Sequence, residues 1–142
     1  MFPGLRPKGG LRIGRLGTSD RGIEEDDLVQ VAYAALTRAA EKYAALSYSQ
    51  PDPFQLNHNL NGSVGDRAQA EGYYGTVGEV IAVTPSPSAE SIVQLWLGSP
   101  GHAAIILGGG FREIGVGCVS GPYRAADGAV WQIALCVAVT GG

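Results

Sequence analysis

No run of apolar residues in this sequence approaches the ~18 that a membrane-spanning helix requires, which excludes a helical span within it. Its 22 glycines follow no fixed period, and this excludes collagen-like and solenoid architectures. The opening Met1-Phe2-Pro3-Gly4 lacks the apolar core of a signal peptide; if the protein is exported, its leader lies outside this sequence. Charge is sparse too. Charged residues make up 16% against 45% apolar, the proportions of a folded globular chain and not of a disordered one. At 142 residues there is material for one domain that buries roughly two-thirds of its unfolded surface.

The net charge of −3 is unevenly spread. Residues 1–22 carry Arg6, Lys8, Arg12, Arg15 and Arg21 against Asp20 alone, a local +4 that leaves −7 on the other 120 residues. Residues 1–22 read as a basic, Pro/Gly-rich and poorly ordered arm, and 23–142 as the single domain. The acidity of that domain argues against nucleic acid as a partner.

Asp27, followed three residues later by Gln30, forms a capping-box pattern that predicts a helix start. Leu28, Ala32, Ala35, Leu36, Ala39, Tyr43 and Leu46 recur at three- and four-residue steps, an amphipathic helix of about five turns. Pro51 and Pro53 end it. Residues 55–66 read as an Asn/Gly-rich loop, and a short helix over 67–71 closes on Gly72. Glu79 to Val83 reads as extended, broken by Pro85 and Pro87. Ser88 caps a further helix with Glu90 in its first turn and Ile92, Val93, Trp96 and Leu97 as its buried face. That helix stops at Gly98-Ser99-Pro100-Gly101. Phe111–Val119 and Ala129–Val139 are strand-like runs around Asp127-Gly128, a hairpin turn. Neither run alternates cleanly, so both faces of the hairpin should be covered. Helices around a buried hairpin predict helices packed on an antiparallel sheet.

Cys118 and Cys136 lie nine residues before and nine after Asp127. Folding there brings them level within about one residue, which permits a cross-strand disulfide. A one-residue slip would put them on opposite faces, as two buried thiols. An oxidised pair would indicate an extracytoplasmic home.

Only His58 and His102 supply imidazoles, one in the Asn/Gly loop and one directly after Ser-Pro-Gly. Glu79 stands in an otherwise apolar stretch, where a carboxylate needs a cation, a donor or a metal. Glu90 is explained by its place at a helix N-terminus. A serine-hydrolase reading fails, because Ser99 in Leu-Gly-Ser-Pro-Gly lacks the first glycine of a nucleophile elbow.

The ordered set His58, Gly62, Arg67-x4-Gly72-Tyr73, Gly78-Glu79-Val80-Ile81-Ala82, Trp96-Leu97-x-Ser99-Pro100-Gly101-His102 and Phe111-x2-Ile114-Gly115-Val116-Gly117 resembles the bacterial branch of the CAP superfamily. The resemblance covers about residues 36 to 139. Val80 stands where the family has Asn, and Ala103 where Arg is common.

The resemblance implies an α+β fold, a three-layer α-β-α sandwich on a central antiparallel sheet. It also implies a cleft in which His58 and His102 hold a divalent metal, zinc above all, beside Glu79, with Glu90 a weaker member. Neutral imidazoles suit zinc and leave positions for water. The implied function is binding, outside the cell, of a small molecule, lipid, glycan or peptide. The alternative is a zinc-assisted hydrolase in which Glu79 serves as general base toward a metal-held water.

Overall fold

The computed structural model describes residues 24–85 and 88–142; the basic arm, and with it the boundary at residue 22, lies outside the described residues. Seven elements follow in order: α1 (Glu25–Tyr48), α2 (Val64–Ala70), β1 (Val77–Thr84), α3 (Ala89–Leu97), α4 (Pro100–Leu107), β2 (Glu113–Arg124) and β3 (Val130–Gly141). The three strands form one antiparallel sheet in the order β1-β3-β2, so β1 and β2 are its edges.

The two faces of the sheet carry separate cores. On one, Leu36, Ala40, Tyr43 and Ala44 of α1 pack on Ile81, Leu135, Val137 and Val139. On the other, Ile92 and Trp96 of α3 pack on Val80, Ala82, Cys136 and Ala138, with Ile105 and Ile106 of α4 alongside. This is the three-layer α-β-α arrangement that the resemblance implied. β3, in the middle, is buried without interruption from Ile133 to Gly141, as a strand covered on both faces must be.

The first layer sits unusually close. A methyl group on Gly115 or Gly117 would collide with the α1 backbone at Leu36–Thr37 and at Ala40–Glu41. The Gly-Val-Gly of β2 is therefore the groove in which a backbone lies, and the alanines of α1 are its complement. The hairpin turns at Ala125–Ala129, where Gly128 has φ +88 and the Ala125 amide donates to Ala129 O at 2.8 Å. β2 runs past its sequence limit of Val119 to Arg124 because main-chain pairing continues beyond its buried residues, and that outer half is not covered on both faces as expected. β3 runs past Val139 through the buried Thr140 and Gly141.

Several expectations need correction. The first helix starts at Glu25, and its capping box pairs Glu24 with Asp27, so Asp27 is the third helical residue and not the cap. Leu28 is 56% exposed, because at this end of the helix Asp27 and Gln30 take the inward positions. Val64 to Asp66, expected as loop, are helical, capped by Ser63 and Asp66 in a reciprocal pair. Val93 and Leu97 are 45% and 43% exposed, because α3 is one short layer that turns only Ile92 and Trp96 inward. Ser99-Pro100-Gly101 ends α3 but also begins α4, with Ser99 as N-cap and Pro100 in the first turn.

Candidate functional site

Glu79 has its side chain in the α1 layer, because alternate residues of β1 face alternate sides and Ile81 belongs to that core. Its side chain is only 2% exposed. Neither oxygen is left bare. Arg67 of α2 donates from Nη2 to Oε2 at 2.5 Å, and His58 Nδ1 lies 2.8 Å from Oε1. A carboxylate only accepts, so the Nδ1 of His58 carries the proton, and in the neutral ring Nε2 keeps its lone pair. The imidazole itself is half exposed.

Arg67 organises the loop as well as the charge. Its Nη1 donates to His58 O and to Gly62 O, both at 2.9 Å. The guanidinium carbon lies 3.5 Å from the centre of the Tyr43 ring, a cation–π contact in a dry setting. The hydroxyl of Tyr43 donates to Asn57 O and accepts from the Leu60 amide. Residues 57–62 are thus pinned from below by two buried side chains. Leu60 is the one apolar residue of this segment that packs on the α1-side core, and these bonds supply the rest of its anchorage.

Beside this network, along the outer edge of β1, runs a cleft of about 230 Å³ lined by Leu56, Ile81, Ala82, Val83, Leu95, Trp96, Ser99 and His102. Ile81 and Ala82 belong to opposite faces of the sheet, so the cleft straddles its edge. Leu56 closes it from the loop before His58, and Trp96, Ser99 and His102 from the α3–α4 junction. The Trp96 indole N–H is buried and has no acceptor among the described residues.

The structure brings His58 and Glu79 into direct contact and sets His102 on the cleft wall. Glu90 stays exposed in the first turn of α3 and joins neither group. No three His, Cys, Asp or Glu side chains gather as a metal site among the described residues. His58 nevertheless has the form of a ligand-ready imidazole: one nitrogen fixed by a carboxylate, the other available. The sequence reading passed over Arg67, Tyr43, Leu56 and Leu95 as site residues. Arg67 had one signal, its place in the Arg-x4-Gly-Tyr motif.

Cys118 and Cys136 are directly paired across β2 and β3 and form a disulfide, with Cα atoms 4.1 Å apart. Such bonds persist in oxidising compartments.

Compared with known proteins, residues 28–137 match the CAP family, described as the cysteine-rich secretory protein family. Among solved structures, an outer surface protein of Borrelia burgdorferi is similar at a TM-score of 0.45 and 16% identity, over 84% of this chain and 95% of that one. Among curated proteins, none matches the chain by sequence.

Proposed function

The chain belongs to the CAP family, and from that membership we propose that it is a binding protein of an extracytoplasmic compartment. It takes a small molecule, lipid, glycan or peptide into the cleft along β1. The observation that carries this reading is the cleft itself, apolar on its walls, with His102 at its margin and a rigidly supported His58 loop beside it. The disulfide supports the compartment, since a cytosolic pair would be kept reduced.

A divalent metal belongs to the proposal as an exchangeable ion. His58 through Nε2 and His102 would hold zinc, with solvent completing its coordination; when bound it would supply a Lewis-acidic point for an anionic or carbonyl group of the ligand. Two imidazoles make a weak set. The hydrolase alternative asks Glu79 to take a proton from a metal-held water. Both of its oxygens are already engaged, by His58 and by Arg67, and this favours binding over turnover.

The test uses Trp96 as reporter in a Trp131→Phe variant, titrated with zinc chloride, palmitate, chitobiose and a short peptide. A saturable change in Trp96 emission with at least one organic probe is expected. For the metal, the zinc response should vanish in His58→Ala, His102→Ala. An unchanged emission with every probe would overturn the cleft as a ligand site.

A further inference from the structure

The outer edge of β1 carries main-chain groups with no partner among the described residues, and the cleft is built over them. Thr76 and Gly142 exchange both amide hydrogen bonds, at 3.2 and 3.0 Å. This fixes the phase of the β1–β3 ladder: Gly78, Val80, Ala82 and Thr84 bond to β3, and Val77, Glu79, Ile81 and Val83 turn N–H and C=O the other way. β1 is the sheet edge, so no strand meets them there. For Ile81 and Val83 no hydrogen-bond partner exists among the described residues. Ile81 is only 3% exposed, so the cleft walls cover these groups from bulk water, and a segment that reaches them has to part those walls. Buried main-chain donors and acceptors are almost always paired.

We infer that the cleft binds an extended peptide segment of another protein, which adds to β1 as a fourth strand through the free N–H and C=O of Ile81 and Val83. This rests on the reading of the cleft as a ligand site and names its ligand class. The unmet groups repeat as donor and acceptor at strand spacing, and a polypeptide backbone is what offers the complement at that spacing. An acyl chain offers neither, and sugar hydroxyls do not repeat at that interval.

The walls specify the side chains. Leu56, Leu95 and Trp96 line the cleft, and no Asp, Glu, Lys or Arg does. From Ser91 to Phe111 the sequence carries no such residue at all. A bound segment must therefore be uncharged where it faces the cleft. From Ile81 to Val83 the edge spans about 7 Å, so about three residues are held.

The usual guards against edge pairing are missing from β1. It has no Lys, no Pro within the strand and no bulge, and its one charge, Glu79, is turned inward to Arg67. The walls replace those guards. A second copy's β1 is recessed between the same walls and cannot reach in, whereas a loose tail or loop can.

The probe is acetyl-Ser-Val-Thr-Val-Ser-amide, set against the same peptide with every internal amide N-methylated. Amide hydrogen exchange at Ile81 and Val83 should slow several-fold with the first peptide and not with the second, while Val80 and Ala82 are unchanged. Val83→Pro removes one outward donor and leaves the β3 ladder whole, and should weaken binding by about tenfold. Equal binding of the methylated peptide would overturn the inference, since side chains alone would then explain it. A Trp96 response to palmitate or chitobiose with none to the peptide would overturn it and leave the cleft a ligand site. Silence from all probes would remove both.

Discussion

The guanidinium of Arg67 is stacked 3.5 Å from the centre of the Tyr43 ring, and each of the two side chains holds a different part of one loop. Tyr43 fixes Asn57 and Leu60 through its hydroxyl, and Arg67 fixes His58 and Gly62 through Nη1. The same arginine neutralises Glu79, which in turn fixes the ring of His58. One set of contacts therefore links α1, α2 and the placement of His58. The loop's position is set by the core, and the His58 ring at its surface stays half exposed.

Arg67→Met should be among the most damaging single changes in the protein. It leaves Glu79 buried without its cation, a loss of about 3–5 kcal/mol where a buried pair is broken from one side. Urea unfolding would show the loss, and amide exchange at Leu60 would show the loop released. The pair Arg67→Met, Glu79→Gln should recover part of the stability. A double variant no more stable than Arg67→Met would mean that the loop bonds, and not the charge pair, carry the energy.

The central relationships were legible in the sequence where a period or a count could carry them. The helical spacing of Ala35, Leu36, Ala39 and Tyr43 announced α1, whereas equal distances from Asp127 permitted the Cys118–Cys136 pairing and left two buried thiols as the alternative, which the register of β2 with β3 decides. α4 was hidden because Ala103 to Leu107 are uniformly apolar, so no amphipathic period marks them, and Ser-Pro-Gly serves as a stop and a start at once. Tyr43 announced itself as core, but nothing in a periodicity reveals what its hydroxyl holds. Arg67 looks like a helix-surface residue until the carboxylate twelve positions on, Glu79, folds over to it.

Gly117→Ala and Gly101→Ala should have opposite signs. At Gly117 the new methyl meets the α1 backbone at Ala40 and Glu41, and a backbone cannot rotate away. Overpacking of this kind costs about 1–3 kcal/mol or more. At Gly101, in the first turns of α4, a methyl meets nothing within 4 Å and φ is not positive. Alanine there should stabilise by a few tenths to about 1 kcal/mol through helix propensity. Thermal melts of the two variants check both. A neutral Gly117→Ala would mean that α1 lies farther from β2 than this structure places it.

Tyr73 should resist ionisation. Burial, and then its 2.9 Å hydrogen bond to Glu113 Oε1, push its phenol up to about 12. The folded value lies above the unfolded one near ~10, so the stabilising contribution is full below that pH and is lost as pH rises through the folded value. The phenolate absorbance difference between the protein and Tyr73→Phe should show one tyrosine titrating at the top of the range. A Tyr73→Phe variant should also lose less stability than the parent as pH rises across that interval. Ionisation of Tyr73 at the ordinary value would mean that the Glu113 contact is not maintained in solution.

The disulfide should stabilise the fold without being needed for its register. Cys118 and Cys136 are 18 residues apart in sequence, a loop for which chain entropy gives about 3 kcal/mol. The pairing of β2 with β3 extends six residues to the turn side and five to the other, so the ladder holds the two positions opposite each other even when reduced. Cys118 is an exposed residue and Cys136 is buried, so a small thiol is expected to attack the bond from the Cys118 side. Reduction under native conditions should leave the circular dichroism spectrum unchanged and lower the urea midpoint, and Cys118→Ala, Cys136→Ala should match the reduced protein. If reduction instead collapsed the spectrum, the hairpin would depend on the bond for its pairing, and the protein could hold its fold only where oxidation is maintained.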